Sequence, residues 1–141
     1  MPASVKFVLG LLGGAVMLAL VCGIVLTRQS ASEAKINAEQ LSGGDSVAGK
    51  REIQAFGCGA CHAVSGVSAA RGTVGPSLTG VADRAELAGK LANTPGNLIR
   101  WIKAPQTVQP GGGMPDMGVS DRQARDMAAY LYTLRTPRPN K

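Results

Sequence analysis

Polarity divides the chain into two parts. From Phe7 to Leu26 run twenty residues without a charge, bounded by Lys6 and Arg28. At about 1.5 Å per residue a helix of that length spans the roughly 30 Å hydrocarbon core of a bilayer. The run predicts one membrane crossing, with an anchor over residues 1–27. A cleaved export signal is the competing reading, but its apolar core is usually only about 7 to 15 residues long, and Ser30 to Ala34 makes a mediocre cleavage site. Cys22 would suit lipoprotein processing only with small residues before it, and Ala19-Leu20-Val21 does not supply them. Residues 28–44, rich in Ser, Ala, Glu and Gln, predict a linker: a helical stalk over Ala31 to Leu41, then a swivel at Ser42-Gly43-Gly44.

Beyond Gly44 the apolar positions recur at helical spacing in three clusters. Asp45 or Ser46 can cap a helix reaching about Phe56, with Val47, Ile53 and Phe56 as its larger apolar side chains and Gly49 suited to a close helix crossing. Thr94-Pro95 is an N-cap with a first-turn proline, opening a helix that carries Leu98, Trp101 and Ile102 until Pro105 stops it. Ser120 to Gln123 forms a capping box, after which Ala124, Met127, Ala128, Leu131 and Leu134 mark the clearest helix. A shorter helix is expected near Arg84 to Leu91. The pattern predicts an all-α domain over 45–135 with a tail at 136–141.

Composition changes this picture in one respect. Only 4% of the residues are aromatic and 19 are glycine, so a domain of this size has few large side chains with which to build a core. Something other than side chains is expected to fill it.

Residues Cys58-Gly59-Ala60-Cys61-His62 supply the candidate. C-x-x-C-H is the attachment motif for a c-type haem: two thiols at this spacing add to the porphyrin vinyl groups, and the adjacent histidine ligates iron from below. A structural zinc site needs four Cys or His ligands, yet outside the motif the chain has no other histidine and only Cys22, in the apolar run. A thioredoxin-like C-x-x-C would need a βαβ setting that these residues lack. The expected cofactor is therefore one covalent haem c.

The second axial ligand is sought among five methionines. Met1 and Met17 lie in the apolar segment, and Met127 falls on the core stripe of the last helix. Met114 and Met117 occupy the loop Pro110 to Met117, where glycines at 111–113 let the backbone approach a porphyrin and Pro115 stiffens the turn. Met114 ranks first and Met117 second. The alternatives are that both simply fill a gap in the core, or that the sixth position is open.

From about Asp45 to Leu134 the chain resembles a class I, mitochondrial-type cytochrome c domain. After C-x-x-C-H, Val74-Gly75-Pro76-Ser77-Leu78 matches the family's Gly-Pro and leucine; the resemblance implies that the Pro76 carbonyl accepts a hydrogen bond from His62. It places Arg84 near a haem propionate, and Trp101, in Asn97 to Pro105, beside the haem near the methionine. The interval from Pro105 to Met114 also fits. Tyrosine is usual where Trp101 stands, and the first helix has one residue more before Cys58. The cofactor-binding set so implied is Cys58, Cys61, His62, Pro76, Arg84, Trp101 and Met114, with His62 and Met114 on the metal and no catalytic residue. The implied fold is the all-α cytochrome c fold wrapped around one haem.

From Asp45 onward Lys and Arg exceed Asp and Glu by five, so the domain stays mildly basic after the haem propionates subtract about two charges, and it would be steered toward acidic partners. The basic residues are dispersed and base-stacking aromatics are lacking, which excludes nucleic acid as a partner. No phosphate-cradling glycine loop, internal repeat or paired catalytic carboxylates occur.

The family implies a membrane-anchored carrier of single electrons from a quinol-oxidising respiratory complex to a terminal oxidase or similar acceptor. Because haem attachment works outside the cytoplasm, the domain would sit on the periplasmic side of the inner membrane. The chain also resembles the cytochrome domain fused to subunit II of haem-copper oxidases, so a fixed subunit of a respiratory or photosynthetic supercomplex is the nearest alternative. A haem-based gas sensor or peroxidase-like enzyme follows at a distance. With haem as the core, a Cys58→Ala/Cys61→Ala variant is expected to be largely disordered; cooperative melting of that variant by circular dichroism would show that the protein core suffices.

Overall fold

The computed structural model describes residues 2–136. It divides into two compact units, Met1–Glu33 and Ala34–Lys141. In the first, helix α1 (Ala3–Ser42) begins directly after Pro2, and every described side chain up to Glu33 is exposed. The helix is long and apolar enough to cross a membrane by length and composition. Phe7, Leu11, Leu18 and Ile24 are exposed along it, a surface that lipid suits.

The second unit is the helical domain expected from the sequence. It contains the last turns of α1, then α2 (Ser46–Ala55), a 3-10 turn at Cys58–Ala60, a second at Val81–Asp83, strands β1 (Glu86–Leu87) and β2 (Leu91–Ala92), and helices α3 (Pro95–Lys103), α4 (Pro105–Val108) and α5 (Asp121–Thr133). Each expected cap is made. Asp45 Oδ1 accepts from the Val47 and Ala48 amides at 2.7 and 3.0 Å. Thr94 Oγ1 accepts from the Asn97 amide, and Ser120 and Gln123 complete their capping box. Pro105 ends α3 as expected and also opens α4, where its missing N–H costs nothing.

Helix α5 is the element against which the others pack. Its Ala124, Met127, Ala128 and Leu131 are buried together with Ile53 of α2 and Leu98 and Ile102 of α3. Gly49 lies at the crossing of α2 and α5: a Cβ there would fall inside the Asp126 carbonyl and 2.7 Å from the Met127 amide nitrogen. Backbone meets backbone, as the isolated glycine suggested.

Two segments differ from the sequence expectation. Residues near Arg84 to Leu91 form no helix. Ala88 and Gly89 both take positive φ, 52° and 66°, and the Lys90 amide donates to Leu87 at 3.1 Å, closing a tight hairpin in which Glu86 pairs with Ala92 and Leu87 with Leu91. Two successive left-handed residues suit a hairpin turn and interrupt a helix. One buried side chain, Leu87, is too little apolar surface to hold a helix here.

The corner at Ser42-Gly43-Gly44 is packed, where a swivel was expected. Ala38 and Ser42 are each only 2% exposed, and Glu39 accepts from the Ser46 amide and hydroxyl at 3.0 and 2.8 Å. Those two donors hold the Glu39 carboxyl below its usual range. Gly43, at φ 67°, ends α1 in the left-handed conformation. A side chain on Gly44 would collide with the backbone of Arg125, and the Asp45 amide donates to buried Asp126 at 2.7 Å. The glycines permit close approach. The tail expected at 136–141 lies outside the described residues beyond Thr136.

Because nothing flexible faces Gly49, Gly49→Ala must separate α2 from α5. The variant is expected to lose about 1–3 kcal/mol of stability, the usual cost of overpacking. A denaturant titration of the full chain checks this; an unchanged midpoint would mean that the crossing gives way freely.

Candidate haem site

Gly57 ends α2 at φ 69° and turns the chain into the Cys58–Ala60 turn. Within it the Cys61 and His62 amides both donate to the Cys58 carbonyl, at 3.3 and 2.9 Å, so the motif folds as one compact turn. The thiols remain free of disulfide bonding, Cys58 half-buried and Cys61 exposed. Burial pushes the Cys58 thiol above its ordinary value.

Gly59 and Gly72 bring the following loop against this turn. A Cβ on Gly59 would lie 2.7 Å from the Ala70 methyl, and the Gly72 amide donates to the Gly59 carbonyl at 3.0 Å. The loop then reaches His62. The Gly75 amide donates to the Cys61 carbonyl at 2.8 Å, and the Gly75 Cα sits on the imidazole, so close that a Cβ would come within 2.7 Å of Nδ1. His62 Nδ1 lies 2.7 Å from the Pro76 carbonyl oxygen. A carbonyl only accepts, so Nδ1 carries the proton, and the Nε2 lone pair is left for a metal.

The other expected residues lie on neighbouring elements. The half-buried Arg84 donates from its guanidinium to the Ser77 carbonyl, one residue beyond Pro76. Trp101 is half-buried on α3 between Arg100 and buried Ile102. Met114 is half-buried in its loop, whereas Met117 is 39% exposed. Buried Met127, 1% exposed, belongs to the core. Hydrogen bonds unite Cys58, Cys61, His62 and Pro76 directly and tie Arg84 to the same loop; among the described residues none joins Trp101 or Met114 to it.

Two contributors were not apparent from the sequence. Gln106 of α4 holds the methionine loop: Nε2 donates to the Gly112 and Met114 carbonyls at 2.9 and 2.6 Å, and Oε1 accepts from the Gly111 amide at 2.9 Å. Asn93 spans the second 3-10 turn, donating to the Val81 and Arg84 carbonyls. A glutamine beside a proline and an asparagine before a helix cap carry no signal of such roles.

The residues present fit a covalent haem. Two free thiols precede a histidine of fixed tautomer, and Phe56, Leu78, Leu91, Ile99 and Leu134 pack on the core while staying only partly buried. Large apolar side chains left half-covered suit a flat apolar ligand that completes their burial. Among the described residues no group of three or more His, Cys, Asp and Glu could hold a bare metal ion.

The comparisons agree with this chemistry. The family model described as Cytochrome c matches residues 46–135. A cytochrome c oxidase subunit 2 from Alkalihalophilus pseudofirmus is 37% identical over 90 residues, covering 62% of this chain and 25% of the relative. A cytochrome c2 from Rhodopila globiformis is 36% identical over 106 residues, covering 65% of this chain and 95% of that protein. A second oxidase subunit 2, from a Bacillus species, is 30% identical over 82 residues, covering 55% of this chain and 23% of the relative. The chain thus spans about a quarter of each oxidase subunit and nearly all of the cytochrome c2. No solved structure matches.

A methyl group at Gly75 would enter the His62 ring. Gly75→Ala is therefore expected to displace the imidazole from Pro76 and lower the fraction of chain that carries haem, read as the ratio of α-band absorbance to protein. A wild-type ratio would show that the ring shifts without consequence.

Proposed function

This chain belongs to the cytochrome c family, electron-transfer proteins that hold haem c covalently, and from that premise we propose that it is a membrane-anchored monohaem carrier. It takes single electrons from a quinol-oxidising respiratory complex and passes them to a terminal oxidase or similar acceptor. The observation that carries this reading is the 2.7 Å bond from His62 Nδ1 to the Pro76 carbonyl. That bond fixes the ring, leaves Nε2 as the iron ligand and strengthens it as a donor.

When bound, the haem supplies a reversible one-electron couple. Cys58 and Cys61 would tether it, and His62 and Met114 would ligate its iron. Gln106 sets the Met114 loop from α4, and the family resemblance would put Trp101 beside the haem and the free donors of Arg84 on a propionate. Ligation by both histidine and methionine would favour a high potential. The chain itself makes and breaks no substrate bond in this role, so it is a carrier and not an enzyme.

The apolar face of Phe7 to Leu26 anchors the carrier in the inner membrane, and the haem domain works on the periplasmic side, where c-type haem is attached. Likeness to two oxidase subunits supports a terminal oxidase as acceptor. It also favours a second reading, in which the chain is a fixed haem subunit of such a complex. The mild excess of basic residues suits an acidic docking surface in either case.

Visible and near-infrared spectra of the chain in isolated membranes test the ligand assignment. A reduced c-type α band is expected, with an oxidised sulfur-to-iron charge-transfer band that disappears in Met114→Ala. A band that persists in that variant would move the assignment to Met117, and its absence from the wild type, together with carbon monoxide binding, would mean an open sixth position.

A further inference from the structure

The loop that carries Pro76 is held from a distance. Arg84 folds back and donates to the Ser77 carbonyl, the neighbour of the carbonyl that accepts from His62. The backbone of Arg84 is fixed in turn by Asn93, whose Nδ2 donates to the Val81 and Arg84 carbonyls at 2.8 and 2.9 Å, bracketing the second 3-10 turn. Asn93 Oδ1 accepts at 3.0 Å from the hydroxyl of Tyr132, a buried residue in the last turn of α5. A continuous series of polar contacts and short backbone links thus runs from α5 to the acceptor of the imidazole proton.

Asn93 uses both its donors and its oxygen, and its own amide donates to the Ala85 carbonyl at 2.9 Å. Only a carboxamide offers two donors and an acceptor in one short plane; aspartate would lack the donors and leucine would lack everything. The opposite side of the same turn is closed by Asp83, which accepts from Arg135 at 3.3 Å and the Thr136 amide at 2.6 Å. Those groups are exposed and screened by solvent. The Asn93–Tyr132 contact is part-buried, and its loss would strand a buried hydroxyl.

We propose that Asn93 and Tyr132 are positioning residues for the haem iron. Through Arg84 and Ser77 they hold the Pro76 carbonyl at its distance from His62, and in doing so they set the reduction potential. The inference rests on His62 as iron ligand. A firm Nδ1–H bond makes the imidazole a stronger donor and favours the ferric state, so slackening the series should raise the potential.

The experiment compares the full chain in detergent with Tyr132→Phe, Asn93→Ala and the double variant, using potentiometric titration of the α band and thermal melting of each. Both single variants are expected to shift the midpoint potential upward, Asn93→Ala by more. The double variant should match Asn93→Ala, since members of one series do not add. Tyr132→Phe removes a single oxygen and reads out even where Asn93→Ala fails to fold. Potentials equal to wild type, with or without lower melting temperatures, would overturn the proposal, and so would additive shifts. A wild-type spectrum without low-spin, histidine-ligated haem would instead overturn the reading on which the proposal rests, which separates the two failures.

Discussion

Glycine at position 49 lets α2 and α5 touch backbone to backbone, and the rest of the domain is arranged around that contact. With a Cβ there overlapping the Asp126 carbonyl, no other residue lets the helices approach so closely. The approach buries Ile53 in one cluster with Met127 and Ala128, and it fixes α2 on α5 and hence where Gly57 delivers the Cys58 turn. The distance between two helices thus decides the position of the covalent motif.

Helix α5 then governs both arms of the site. Its first half receives α2 and the corner from Gly43 to Asp45, where Asp126 accepts from the Asp45 amide. Its last turn and the residues after it hold the second 3-10 turn through Tyr132, Asp83 and the Leu134 carbonyl, and that turn leads back to Arg84 and Pro76. Motif and proline lie on different stretches of chain, yet one helix positions both. The arrangement has an electrostatic cost. Glu52 sits near Asp126 with Oε2 buried and unpartnered, and burial and the neighbouring carboxylate push its carboxyl above the usual range. Its ionised form opposes folding, an effect that is relieved as pH falls through its raised pKa. Tight helix crossing and satisfied carboxylates are in competition at this interface.

The docking of Ala38, Glu39 and Ser42 bears on how such a domain would meet partners. A free tether would let it sweep laterally, but the compact unit begins at Ala34, and Ala38, Glu39 and Ser42 are held in its packing.

Covalent chemistry and helix termini were legible in the sequence because they are local. C-x-x-C-H has its meaning in five consecutive residues, the three caps lie within four residues of their helices, and twenty uncharged residues announce a long apolar helix. The last helix could be read in full, since its apolar stripe repeats often enough to stand above noise. Tertiary structure decided what depends on residues distant in sequence. That Gly75 packs on the imidazole, that Gln106 staples the methionine loop and that Asn93 joins α5 to the Arg84 turn each require partners that no spacing reveals. The hairpin at 86–92 replaced an expected helix because the left-handed Ala88 and Gly89 outweigh a weak apolar pattern. The glycines at 43 and 44 read as flexible and proved to be close contacts, because glycine serves either need and only the surface opposite it decides which.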